Sequence, residues 1–314
     1  MRLATSLCKF LWNQPWFKPE YGRSVYKIIC SGDEAPDAPF EKDFFGLRYA
    51  GNLRNTIDFS VFYYGAFEKP LLFFLRDCLA AIHKPPTVFC DIGANIGQHA
   101  LFMSLLAEQV HAFEPYDKVR EKLQRQIALN NLTNLQVHAV GLSDQPQRLP
   151  FYAPTGRNEG IGSFDAGTTQ KGNKSIGELA LERGDDFFQA HAIESVDLIK
   201  IDVEGFEKSV LAGLQLTLGS QRPVVVCEIT YGADLSIQSL QELEALFPPD
   251  YRFFTFDVRK ADGSKARRKD ARARQSGEYQ LIPFDFRFQK GQDDIIACPA
   301  EQLERLPTSN SQQA

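Results

Sequence analysis

From Asp58 onward, short dense apolar runs alternate with stretches of helical period. "IDFSVFYYG" reads as a strand and "KPLLFFLRDCLAAI" as a core helix. "TVFCDIG" predicts a short buried strand, residues 97–108 a helix, and "QVHAFEP" a second strand. In the helix that follows, Val119, Leu123 and Ile127 recur every four positions and form one apolar face. "LQVHAVGLSD", "VDLIKIDVEG" and "RPVVVCEIT" predict strands three to five. A helix with Phe206, Val210 and Leu214 on one face separates the last two, and "SIQSLQELEALF" is another helix. "YRFFTFDV" and "DDIIACP" read as closing strands. This alternation predicts an α/β fold: a mostly parallel sheet with helices on both faces. Ligands of such sheets bind outside the carboxyl ends of the strands.

Composition narrows the function classes. The chain has 314 residues, 43% of them apolar and 24% charged, as in an ordinary globular protein. A net charge of -5 gives no reason to expect a nucleic-acid partner. Cys8, Cys30, Cys78, Cys90, Cys227 and Cys298 form no C-x-x-C pair, so reduced thiols in a cytoplasmic protein are expected, and no structural zinc. The N-terminus lacks a small-residue cleavage site. The most apolar later run is broken by Arg76 and Asp77 and is too short to span a bilayer, which needs about 20 apolar residues. Residues 1–58 are irregular, residues 153–177 form a Gly/Thr/Asn/Lys-rich connection, and 259–275 is a basic run. The basic run suits a solvated hairpin loop, or an arm that contacts an anionic substrate or lipid.

Five acids fall at the ends of the five strands: Asp91, Glu114, Asp144, Asp202 and Glu228. In "VFCDIGANIGQHALFMS" the first strand stops at Asp91 and turns through Gly93 and Gly97. This is neither the G-x-G-x-x-G of a dinucleotide site nor a P-loop. An acid before the turn repels a pyrophosphate and suits an ammonium. Glu114 is placed to accept hydrogen bonds from both hydroxyls of a ribose, and Asp144 to accept an adenine amine. An amino-acid cation, a ribose and an adenine without phosphate together describe S-adenosylmethionine.

The segments "FCDIGANIGQHA", "HAFEP", "VGLSD" and "VDLIKIDVEGFEKSVLAGL" resemble the FkbM family of S-adenosylmethionine-dependent methyltransferases. The resemblance covers residues 59–300, leaving 1–58 as an N-terminal extension, a possible cap over the acceptor cleft, and 301–314 as a polar tail. It implies a class I methyltransferase sheet of seven strands, the last antiparallel. It implies that Asp91, Gly93, Ala94, Asn95 and Gly97 hold the methionine part of the cofactor. Glu114, with Pro115 beside it, should hold the ribose; Leu142, Ser143 and Asp144 should frame the adenine. Tyr64 and Glu68 should close over the cofactor. In "LERGDDFF", Asp185 or Asp186 fills the family's acidic place. The acceptor is expected to be a small molecule or glycan, methylated on a hydroxyl.

A hydroxyl acceptor benefits from a general base. The candidates are Asp202, Glu204 and Glu228, with Lys200 able to pair with either Asp202 or Glu204. Asp202 and Glu228 also suit a divalent cation, but no third ligand is evident, so no metal site is expected. His99 lies near the cofactor by position, whereas His111 and His138 read as strand residues without function. Two rival readings remain: a nicotinamide-dependent oxidoreductase, opposed by the missing glycine fingerprint, and a non-catalytic relative used as an interaction surface, opposed by the intact acid-Gly-Asn-Gly set.

Overall fold

A computed structural model describes residues 37–310 apart from 83–84, 156–161, 233–234, 261, 265 and 287–290, together with residues 10, 11, 14 and 16. The described chain opens with a hairpin, β1 (Pro39–Phe44) and β2 (Leu47–Asn52), followed by α1 (Thr56–Tyr64) and α2 (Lys69–Ile82). Next come β3 (Val88–Ile92), α3 (Gln98–Met103), β4 (Gln109–Phe113), α4 (Asp117–Asn130) and β5 (Leu135–His138). A second sheet is inserted here, from β6 (Gly141–Ser143), β7 (Gln147–Ala153) and β8 (Lys174–Arg183). Then follow α5 (Gly184–Ala190), β9 (Val196–Ile201), α6 (Glu207–Gly213), α7 (Gln215–Ser220), β10 (Val224–Tyr231) and α8 (Leu240–Ala245). The chain closes with β11 (Tyr251–Phe256), α9 (Arg267–Ser276), β12 (Leu281–Pro283), β13 (Gly291–Pro299) and a 3-10 turn at Ala300–Arg305.

The main sheet has the order β12-β11-β13-β10-β9-β3-β4-β5. Strands β5, β4, β3, β9 and β10 are parallel, and β13 runs antiparallel to both its neighbours. This is the class I methyltransferase order; β12 adds an eighth strand to the expected seven. The parallel strands are buried on both faces, which is why they read as unbroken apolar runs. In β10, Val224 and Val226 join the core on one face, while Val225, Cys227 and Ile229 join the core on the other.

Several elements differ from expectation. "IDFSVFYYG" is helical: Asn55 Oδ1 accepts from the amides of Ile57 (2.8 Å) and Asp58 (3.2 Å), and Gly65 closes the helix at φ 86°. Cap chemistry at both ends overrides the strand preference of Phe59, Val61, Phe62 and Tyr63. The third predicted strand splits. It leaves the main sheet after His138, and Gly141–Ser143 pairs with β8 instead. The connection at 153–177 contains the last residue of β7, a 3-10 turn and the start of β8, whose first five residues are exposed and polar enough to hide a strand. The basic run lies in the connection between the antiparallel neighbours β11 and β12, as a hairpin loop would, but carries helix α9, packed against α2. Beyond residue 300, Leu306 is buried in the core, and Arg222 ties Glu301 (2.8 Å) to Asp250. The hairpin β1–β2 docks on α4, where Gln126 exchanges hydrogen bonds with the backbone of Ala50. Residues 1–36, most of the expected cap, and Cys8 and Cys30 lie largely or wholly outside the described residues. Among the described residues no helix is long and apolar enough to cross a membrane.

At the β4–β5 edge, His111 Nδ1 lies 3.1 Å from His138 Nε2 and the two rings stack. Burial, aided by His111 and His191, holds His138 down to about 4. The folded chain therefore keeps His138 neutral where the unfolded chain takes up a proton, below about 6.5. The unfolded state binds more protons across that window, so stability is complete above it and falls as pH drops from about 6.5 toward 4. Melting temperatures measured across these pH values should show this loss. His138→Gln should make the fall shallower, and an unchanged slope would remove His138 as its cause.

Candidate active site

The parallel register of β3 and β9 places Asp91 opposite Lys200. Lys200 Nζ lies 3.6 Å from Asp91 Oδ1 and 3.3 Å from Asp202 Oδ2. Burial alone would lower the Lys200 ammonium, but Asp202, Asp91 and Glu68 together hold it above its usual range. Lys200 thus pairs with Asp202, and with Asp91 rather than Glu204. Burial pushes the Asp91 carboxyl upward against the opposing pull of Lys200. Asp91 is 0% exposed, and its Oδ2 accepts from the Ala100 amide in the first turn of α3 (3.1 Å). It therefore lies beneath the turn rather than in the cleft. The acid that reaches the cleft from this trio is Asp202, whose side chain is 26% exposed.

Gly93 has φ +82°, and a methyl there would lie 1.9 Å from the carbonyl oxygen of Asp202. Only glycine permits this approach of two backbones. Gly97 is also left-handed, and its missing side chain makes room for Leu123 of α4. Ala94 is buried and brings no side chain to the cleft. The Asn95 amide donates to Glu114 Oε2 (2.9 Å) and the Tyr116 amide to Glu114 Oε1 (2.8 Å). Burial pushes Glu114 up to about 7 against these two bonds and Arg120. Gly93, Asn95, Glu114, Pro115, Asp202 and Glu204 line a cleft of about 60 Å³.

One wall of this cleft is aromatic and was missed in the sequence. Tyr116 and Phe151 have ring centroids 5.4 Å apart, and Phe151 lies 5.1 Å from Phe164. These rings come from the turn after β4, from β7 and from a polar loop. Leu142, Ser143 and Asp144 are not among the lining residues. Leu142 and Ser143 are buried in β6, where the Ser143 carbonyl packs against Gly213, and Asp144 is exposed beyond it. Of the acidic pair, Asp185 is buried and accepts from the amides of Leu216 and Thr217, capping α7, whereas Asp186 is exposed.

Asp202, Glu204 and Glu228 each bring a carboxylate oxygen within 4.8 Å of the others. Glu204, expected as a candidate base, thus also supplies the third oxygen ligand that was not evident for a cation, and it is a left-handed residue at φ 51°. Such a set can take up a proton or accept a hard cation. Gln292, also missed, crosses from β13: its Nε2 donates to Glu228 Oε1 (2.7 Å) and Glu204 Oε2 (3.2 Å). The signal lies in a pairing distant along the chain, Gln292 opposite Thr230. Burial, then Asp202, Asp294, Glu68 and Glu204, raises Glu228 well above the usual carboxylate range. Glu207, a further omission, accepts from the Gly205 amide (2.7 Å) and holds the loop that carries Glu204. Beside the acids opens a cavity of about 200 Å³ lined by Tyr64, Glu68, Glu228, Gln292, Asp293 and Asp294. Tyr64 and Glu68 line this cavity rather than the Glu114 cleft; Glu68 lies 3.6 Å from His99 Nε2.

Two buried atoms beside the turn, Gln98 Nε2 and His99 Nε2, lack a hydrogen-bond partner, whereas Asp91 Oδ1 faces the Lys200 ammonium. Unpaired buried polar groups are uncommon. Their chemistry suits the charged head of an amino acid, as Glu114 suits a ribose.

A family model described as the methyltransferase FkbM domain matches residues 91–254, just over half of the chain. The chain is 31% identical over 182 residues to "Methyltransferase 1" of Beauveria bassiana, a match covering 51% of this chain and 73% of that protein. It is 27% identical over 160 residues to the 2-O-methyltransferase NoeI of Sinorhizobium fredii, covering 47% and 65%. It is 32% identical over 152 residues to the hexuronic acid methyltransferase AglP of Haloferax volcanii, covering 47% and 57%. The last two matches therefore span less than two thirds of the relatives' lengths.

Lys200→Met would leave Asp91 buried without its counter-charge. Removing one partner of a buried pair costs about 3–5 kcal/mol, and urea unfolding of the variant should show a loss of that order. A loss under about 1 kcal/mol, the scale of an exposed pair, would refute a central role for the charge.

Proposed function

We propose, because the chain belongs to the FkbM methyltransferase family, that it transfers a methyl group from S-adenosylmethionine to a hydroxyl of a saccharide. The observation that carries the reading is the adjacency of two sites sharing Asp202 and Glu204: the Glu114 cleft and the carboxylate set with its cavity. When bound, S-adenosylmethionine supplies a methyl group on a sulfonium. Glu114 would accept the ribose hydroxyls, and Tyr116 and Phe151 offer an aromatic surface for the base. Asp202 and the unpaired groups at Gln98 and His99 suit the amino-acid part.

On the acceptor side, Glu228 takes the hydroxyl proton. Its raised proton affinity makes its ionised form a stronger base than an ordinary carboxylate. Gln292 holds Glu228 and Glu204 in place through one amide. Two relatives, by name a 2-O-methyltransferase and a hexuronic acid methyltransferase, support a sugar hydroxyl as the acceptor. Glu68 and Asp294 in the cavity wall, where Arg259 pairs with Asp293 and Arg274 with Asp270, leave no cationic surplus for a phosphodiester backbone, which argues against nucleic acid. The cysteines Cys78, Cys90, Cys227 and Cys298 are buried and free, which supports a cytoplasmic setting.

Calorimetric titration should show binding of S-adenosylmethionine and S-adenosylhomocysteine but not NADH. Glu114→Ala should weaken both by about tenfold to a hundredfold, the scale of lost charge-assisted hydrogen bonds. Binding of NADH alone would favour an oxidoreductase, and no binding at all a non-catalytic relative. With a saccharide acceptor in hand, kcat/KM should rise with pH through a value above the usual carboxylate range. Glu228→Gln should lower kcat by about 10²–10⁴-fold while cofactor affinity stays. A variant that keeps wild-type kcat would dismiss Glu228 as the base.

A further inference from the structure

A separate cavity of about 450 Å³ lies under the N-terminal hairpin, between β2, the start of α1 and α4. Three cationic residues line it: Arg54, Lys122 and Arg125. Two acids line it as well, and both are engaged by the protein. Asp58 is 4% exposed and accepts from Tyr49 Oη (2.7 Å) and the Asn52 amide (2.8 Å). Asp37 accepts from the Asn52 side chain. The three cations outnumber the two acids along this wall, in a chain whose net charge is -5, and one of them, Arg125, also reaches Glu121 (3.5 Å).

Asn55 adds an independent observation. It lines the same cavity and is 3% exposed. Its Oδ1 is committed to the cap of α1, which fixes the amide plane and leaves Nδ2 on the other side. That Nδ2 has no hydrogen-bond partner. A buried N–H donor held in one orientation without an acceptor indicates a missing acceptor.

We propose that this cavity binds a phosphate-type oxyanion, with Asn55 Nδ2 as the buried donor and Arg54, Lys122 and Arg125 as its cationic walls. Guanidinium groups match phosphate oxygens in charge and in fork geometry. The oxyanion comes either from free inorganic phosphate or from the phosphate of a phosphorylated sugar. The site is distinct from the carboxylate set and does not depend on the reaction proposed there.

The test is calorimetric titration of the full chain at low ionic strength with inorganic phosphate, glucose 1-phosphate and glucose. Asn55→Ser keeps a good helix cap but removes the amide donor. The double variant Arg54→Gln/Arg125→Gln removes charge at exposed positions and leaves the cap intact. Saturable phosphate binding at millimolar concentration should weaken by about tenfold or more in each variant. Tighter binding of glucose 1-phosphate than of phosphate would support the sugar phosphate as the source, and equal binding would support the free ion. The proposal is overturned by absence of saturable phosphate binding, by binding that the double variant leaves unchanged, or by glucose binding as well as glucose 1-phosphate.

Discussion

Lys200 carries a single positive charge between two carboxylates, and the shape of the site depends on it. Asp91 and Asp202 end neighbouring parallel strands, where their like charges would otherwise drive the two ends apart. The buried ammonium, 3.6 and 3.3 Å from them, lets the ends close. Only then can the Asp202 carbonyl approach Gly93 closely enough to exclude a side chain there. Asp91 in turn holds the first turn of α3 through the Ala100 amide. One charge thus sets the turn, the start of the helix and the loop that carries Glu204.

The acids beyond this point occupy a different electrostatic regime. Glu228 is half-buried among Asp202, Asp294, Glu68 and Glu204, and desolvation and these charges raise its proton affinity. Gln292 separates Glu228 and Glu204 by donating to both. Lys200 compensates Asp202 from one side, and the neutral amide serves the other two from the opposite side. The result is a graded set, from a paired carboxylate facing the cleft to one suited to exchanging a proton.

Much of this was legible in the sequence because parallel strands are continuous apolar runs and their polar ends stand out. Glu114 and Asp202 directly follow β4 and β9, and Asp91 is the penultimate residue of β3, as the pattern put them, whereas Glu228 sits inside β10, which runs on to Tyr231 beside β13. The role of Asp91 was not legible, since burial beneath a turn leaves no mark on spacing. Asp144 misled because the chain leaves the sheet at His138, six residues before it. Gln292 could not be found locally, because its place comes from an antiparallel pairing 62 residues away in the chain. Phe164 was hidden by polar neighbours, and Phe151 by its place in a strand of the inserted sheet. Helix α1 was hidden because its caps, Asn55 and Gly65, weigh more than its aromatic content.

The contact between Gly93 and the Asp202 carbonyl divides the molecule into two halves with different freedom to change. On the donor side, two backbones occupy adjoining space, and any altered residue in one loop demands a matching alteration in the other. On the acceptor side, β10 contributes Glu228, and the other walls come from α1, α2, β11, α9 and β13, which do not meet that contact. New acceptor preferences can therefore arise by exchanging these wall elements one at a time, on a donor half that stays fixed. The architecture is modular along a line that runs through a single missing methyl group.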